Sequence, residues 1–140
     1  MAKHSLLQNT VLAYRLTRLT LHVLQGLFEV SFMFPFAKKP YRNQRIHNWS
    51  LRILKILHIE LRVIGNAADW QAKQRLIVAN HISWLDIFVM NGGTVARFVA
   101  KSEVRQWPAI GWLCAAAGTL FIDRSSRQAA REMNKQLLNY

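Results

Sequence analysis

The sequence predicts an α/β fold: a membrane-associated helical hairpin over residues 1–57, then a largely parallel sheet with flanking helices over 58–140. Three observations predict it. Between Thr10 and Phe36, polar residues recur at helical spacing in an otherwise apolar stretch. At Ile59 the apolar period drops from helical to two. From there on, short apolar runs alternate with helical patterns, as in a parallel sheet crossed by helices.

In the first segment, Arg15, Arg18, His22, Gln25 and Glu29 are spaced 3, 4, 3 and 4 apart. On a helix they fall within a stripe of roughly 80°, leaving the remaining surface apolar. The charge-free windows are shorter than the ~20 residues of an ordinary spanning helix. The expected arrangement is a helix sunk into one leaflet, its polar stripe facing a second helix. The alternative is a core helix of a soluble domain. Pro35 and Pro40 break the pattern, and Lys38, Lys39, Tyr41 and Arg42 suit headgroup level. A second helix is expected over about Asn43–Leu57. Arg45, Asn48, Arg52 and Lys55 make one face, and Ile46, Trp49, Ile53, Ile56 and Leu57 the other.

Ile59, Leu61 and Val63 alternate with Glu60 and Arg62, a first strand ended by Gly65-Asn66. Asn66–Lys73 reads as a loop and Arg75–Ala79 as a strand buried on both faces. A short helix over Trp84–Asn91 stops at Gly92-Gly93. Val95–Ala100 reads as a third strand, followed by a helical piece from Lys101 that stops before Pro108. Ala109–Ala117 reads as a helix ended by Gly118, and Leu120–Ile122 as a fourth strand. Ser125 with Gln128 forms a capping-box pattern for a last helix.

Composition narrows the partners. Nineteen Lys and Arg against seven Asp and Glu give the 140 residues a charge of +12. That implies a phosphate ester, an anionic membrane surface, nucleic acid or an acidic carrier protein. A hydrophobic content of 51% excludes a disordered basic tail. A chain both basic and apolar points to anionic membrane phospholipids. No helix-turn-helix, zinc or aromatic RNA-binding motif supports nucleic acid. The single Cys114 rules out an intramolecular disulfide and reads as a small buried residue. His22, His47 and His58 lack ligand-like spacing, so no metal is expected.

Chemistry is concentrated at Ala79-Asn80-His81-Ile82-Ser83-Trp84-Leu85-Asp86. His is suited to proton transfer near neutral pH. A carboxylate on its second ring nitrogen would fix the tautomer and steady the imidazolium. Five residues is about 140° off-register on a continuous helix. The pair therefore requires a turn after His81 and a helix beginning near Ser83, from whose first turn Asp86 reaches back. Sites in parallel sheets gather beyond the carboxyl ends of strands. His81, Lys101 and Arg124 each follow such an end.

Asn80-His81-Ile82-Ser83-Trp84-Leu85-Asp86 resembles the Asn-His-x4-Asp signature of the glycerolipid acyltransferases, specifically the 1-acylglycerol-3-phosphate acyltransferases. Gly118-Thr119-Leu120-Phe121-Ile122-Asp123-Arg124 resembles that family's second block. Ala100–Val104 and Trp107-Pro108-x-x-Gly111 also look like it, in the same order. The resemblance spans roughly Ile59–Tyr140, and the hairpin is similar to the family's membrane anchor.

The resemblance implies acyl transfer from a thioester, acyl-CoA or acyl carrier protein, to the hydroxyl of a lysophospholipid acceptor, with no resident cofactor. It implies His81 as general base, Asp86 as its orienting partner, and Arg124 with Lys101 as phosphate holders. It places the protein on a membrane at the cytoplasmic face, the inner membrane in a bacterium. The family's third block, Phe-Pro-Glu-Gly-Thr-Arg, and its Pro-containing fourth do not occur. A chain truncated at its C-terminus is therefore expected, the N-terminal part of a longer protein. The alternative is a non-enzymatic basic peripheral membrane protein, or an inactive fragment, that binds anionic lipid.

Overall fold

A computed structural model describes residues 2–65 and 76–123. Helix α1 runs over Ala2–Phe28. It loosens into a π-helical stretch at Glu29–Met33 and a 3-10 turn at Phe34–Phe36, where Pro35 ends it. Helix α2, Lys39–Ile56, starts with Pro40 in its first turn, where a missing N–H costs nothing.

These two helices pack with their polar side inward. His22, Glu29 and Ser50 are buried, while Leu12, Leu16, Leu21, Leu24, Phe28 and Phe32 are exposed. The lower half of the expected polar stripe does face α2. Both Glu29 oxygens accept from Arg45, and Glu29 also accepts from Gln25 at 3.0 Å. Trp49 Nε1 donates to the His22 carbonyl at 3.1 Å, His22 Nε2 meets the Trp49 carbonyl at 3.0 Å, and their rings stack at 4.8 Å. Gly26 permits this approach, since a Cβ there would lie 2.8 Å from Trp49 Nε1. The segment Gln8–Phe36 is long and apolar enough to cross a membrane, and only 22% of its most apolar window is buried.

The buried apolar side chains are Ile53, Leu54 and Ile56 of α2 and Phe34 of the connection. Helix α3, Leu85–Gly93, packs against α2. Phe88 meets Trp49 edge-on at 5.6 Å, and His47 Nδ1 meets the Asn91 carbonyl at 2.9 Å. Leu51 and Leu61 both close over Gly92, at 3.0 Å from where a Cβ would stand.

The sheet is smaller than expected. Among the described residues it holds two strands, β1 Val99–Lys101 and β2 Leu120–Ile122, parallel, with Val99 opposite Leu120 and Lys101 opposite Ile122. Between them run a 3-10 turn, Ser102–Gln106, and helix α4, Ile110–Ala116. Gly111 lies against the backbone of the 3-10 turn, and a Cβ there would lie 2.2 Å from the Arg105 carbonyl oxygen. Gly118, at φ +84°, ends α4; its N–H bonds the Ala115 carbonyl and the Thr119 N–H bonds the Cys114 carbonyl. That is a Schellman cap, and it turns the chain into β2. The outcome is a parallel crossover unit, β1–α4–β2, the α/β element the sequence predicts.

Two expected strands do not form. Residues 59–64 and 76–80 run without regular structure. Leu76 and Val78 are each 86% exposed. A strand exists only through the ladder its neighbour completes, and neither stretch has such a neighbour among the described residues. The third expected strand shortens for the same reason, pairing at Val99–Lys101 and at the Phe98 carbonyl, which accepts from Leu120 N–H at 2.8 Å. Arg75, the loop at 66–73 and the helix expected from Ser125 lie outside the described residues.

Candidate active site

Local chain geometry brings His81 and Asp86 together. The chain turns at Ser83, and the Asp86 N–H donates to the Ser83 carbonyl at 3.0 Å. Ser83 Oγ accepts from Leu85 N–H at 3.3 Å, taking one unpaired donor of the helix start. Asp86 stands in the first turn of α3 and its carboxylate points back along the chain. Oδ2 meets His81 Nδ1 at 3.1 Å and accepts the backbone N–H of Ile82 at 2.8 Å and of Ser83 at 2.9 Å.

This places three donors on one carboxylate oxygen. The Ser83 N–H, then the Ile82 N–H, with the His81 ring adding a smaller effect, hold the Asp86 carboxyl below the usual carboxylate range. The acid is therefore ionised at neutral pH. An ionised acceptor at Nδ1 requires the proton there and leaves the lone pair on Nε2. His81 is open to solvent, with its side chain 69% exposed. With Nδ1 donating to Asp86, a neutral ring would present the Nε2 lone pair for proton transfer at the head of a helix.

Two of the four sequence-derived site residues meet in this way. Lys101 stands at the carboxyl end of β1, exposed, opposite Ile122 in the parallel register. Arg124 lies outside the described residues. Asp123, which follows β2, is the last residue described before it.

Sequence reasoning missed what supports the dyad. The amides of Ile82 and Ser83 hold Asp86 at shorter distances than the ring does, and no side-chain pattern signals a backbone donor. Trp84 and Phe88 form an edge-on pair at 5.6 Å, and Phe88 continues to Trp49, so an aromatic row ties the first turn of α3 to α2. Their i, i+4 spacing was the readable signal. His22 and His47 each meet a backbone carbonyl through one ring nitrogen, a packing use that their spacing did not foretell.

The acyltransferase family model matches residues 58–140. The 1-acyl-sn-glycerol-3-phosphate acyltransferase of Neisseria meningitidis is 38% identical over 94 residues, 67% of this chain and 36% of that protein. The lyso-ornithine lipid O-acyltransferase of Pseudomonas aeruginosa is 41% identical over 98 residues, 70% of this chain and 36% of that protein. The 1-acyl-sn-glycerol-3-phosphate acyltransferase of Saccharomyces cerevisiae is 38% identical over 90 residues, 60% of this chain and 28% of that protein. The chain spans about a third of the length of these curated relatives. No solved structure matches it.

Proposed function

The chain belongs to the acyltransferase family, and from that premise we propose that it carries the catalytic base of a lysophospholipid O-acyltransferase. The reaction is transfer of an acyl group from acyl-CoA or acyl carrier protein to the free hydroxyl of 1-acylglycerol-3-phosphate. The single observation that carries this reading is the His81–Asp86 contact at 3.1 Å, with Nε2 left as the outward base.

His81 Nε2 takes the acceptor hydroxyl proton as the hydroxyl oxygen attacks the thioester carbonyl carbon. The carbon–sulfur bond then breaks, and the imidazolium returns the proton to the leaving thiolate. Asp86 keeps the tautomer and stabilises the imidazolium. Arg124 and Lys101 hold the acceptor phosphate, Arg as a fork and Lys as a point charge. Residues 1–57 act as a membrane anchor on the cytoplasmic face, and 58–140 form the N-terminal part of the catalytic domain. The relatives' extra length supports reading the chain as part of a longer protein. Family membership does not favour a purely non-catalytic lipid-binding role.

In the complete gene product, His81→Ala lowers kcat about 10³-fold with vesicle binding unchanged. Asp86→Asn is also severe, because an amide can hold the wrong tautomer and cannot offset an imidazolium. Activity within threefold of wild type in either variant overturns the dyad.

The Pseudomonas relative favours a second acceptor, a lyso-ornithine lipid, with the same chemistry at the hydroxyl. Assaying both acceptors decides: turnover of only the ornithine lipid rejects the phosphate role of Arg124 and Lys101 but leaves His81 and Asp86 in place.

A further inference from the structure

We infer that the groove between α1 and α2 is a binding site for the phosphodiester headgroup of an anionic membrane lipid, separate from the His81–Asp86 site. A cavity of about 290 Å³ opens there, with Gln25, Asn48 and Arg52 among its lining residues, Trp49 and His22 forming a wall and Leu51 at its edge.

The charge in this cavity is positive. Arg45 also lines it, but Arg45 and Glu29 neutralise each other. Arg52 makes no carboxylate ion pair among the described residues; it has a long contact from Nη1 to Gln25 Oε1 at 3.4 Å. That leaves Nε and Nη2 for an oxyanion, which a guanidinium meets as a fork. Asn48 accepts from Gln44 through Oδ1 at 3.1 Å, so its amide N–H groups remain for the same ligand.

The surroundings select a lipid over a free ion. Leu51 at the edge of the cavity is exposed, and so are Leu21, Leu24 and Phe28 on α1, the helix that supplies the Gln25 wall. A headgroup in the groove leaves its acyl chains apolar surface to lie along. The His81–Asp86 pair lies elsewhere, on the turn before α3, and neither residue lines the cavity. The site therefore retains a bystander lipid rather than the acceptor.

Sedimentation of the complete gene product with phosphatidylcholine vesicles, with and without phosphatidylglycerol, tests the inference. A diffuse surface field predicts that removing any one basic residue weakens binding to the anionic vesicles about fivefold. Arg52→Gln and the control Lys55→Gln, one turn on and outside the cavity, would then lose equally. The headgroup site instead predicts a loss of about twentyfold or more for Arg52→Gln. It also predicts about fivefold for Asn48→Leu, which removes no charge and adds apolar surface. Both positions are exposed, so folding is not at stake. Equal losses for Arg52→Gln and Lys55→Gln, or undiminished binding by Asn48→Leu, overturn the site. Calorimetric binding of inorganic phosphate that Arg52→Gln abolishes, with vesicle binding intact, overturns the lipid assignment in favour of a free anion.

Discussion

The helical hairpin and the dyad-bearing segment solve opposite problems. Helices α1 and α2 satisfy their own backbones, so their sequence needs only to decide which face goes inward. It sends His22, Gln25, Glu29, Arg45 and Trp49 in and leaves Leu12, Leu16, Leu21 and Leu24 out. The later segment depends on partners. Its apolar run Leu76–Val78 lies exposed, and its two strands hold only three residues each. Yet the dyad is fully assembled, because His81, Ile82, Ser83 and Asp86 lie within six consecutive positions. The turn at 81–86 rests on local chain geometry and needs no ladder partner.

Two glycines break this contrast in different ways. Gly111→Ala puts a methyl 2.2 Å from the Arg105 carbonyl oxygen, and 2.9 Å from that of Val104, with backbone on the receiving side. Backbone cannot swing aside as a rotamer can, so the expected loss is ~3 kcal/mol, read as a lower denaturant midpoint. Gly26→Ala meets the Trp49 ring first, at 2.8–3.1 Å. Moving the ring strains its stack on His22 and its bond to the His22 carbonyl, a cost of about 2 kcal/mol by overpacking. Replacing a mid-helix glycine returns about 1 kcal/mol, leaving a net loss of about 1 kcal/mol. A larger effect at Gly26 than at Gly111 would mean that the hairpin, not the crossover unit, is the less forgiving region.

The pH response sharpens the same contrast. The folded carboxyl of Asp86 lies below its ordinary value, so its support for the turn is fully present above the ordinary carboxylate range. That support is lost as pH falls through the depressed value. The turn at 81–86 is thus expected to persist through mildly acid solution.

What could be read in advance follows the range of each interaction. The half of the α1 polar stripe from His22 to Glu29, the turn between His81 and Asp86 and the stop at Gly118 all depend on neighbours within a few residues, and each stands where the sequence places it. The expected strands at Ile59–Val63 and Leu76–Ala79 required partners that alternation alone cannot supply. The bond between Trp49 and His22 spans 27 positions and that between His47 and Asn91 spans 44; no local period encodes either. The π-helical stretch at Glu29 was equally invisible, since it accompanies an ion pair to Arg45 on another helix.

The smallest effect is expected at the junction of the two regions. Helix α2 ends in a Schellman cap in which His58 N–H bonds the Lys55 carbonyl and Ile59 N–H bonds the Leu54 carbonyl. The capping position requires the left-handed region, and His58 occupies it at φ +58°. Glycine is the usual residue there, because a Cβ costs an L-residue about 1–2 kcal/mol in that conformation. His58→Gly removes this strain. It also loses the 3.2 Å contact between the ring and the Ile56 carbonyl, and frees the unfolded chain by up to ~1 kcal/mol. The sum favours the variant by about 0.5 kcal/mol, a rise in denaturant midpoint at unchanged slope. The family match begins at this same residue, so a cap that improves without loss of vesicle binding would mark residue 58 as a simple joint between the helical hairpin and the family-matched segment. A stability loss in His58→Gly would instead assign the imidazole contacts a larger share of the junction than the strain they offset.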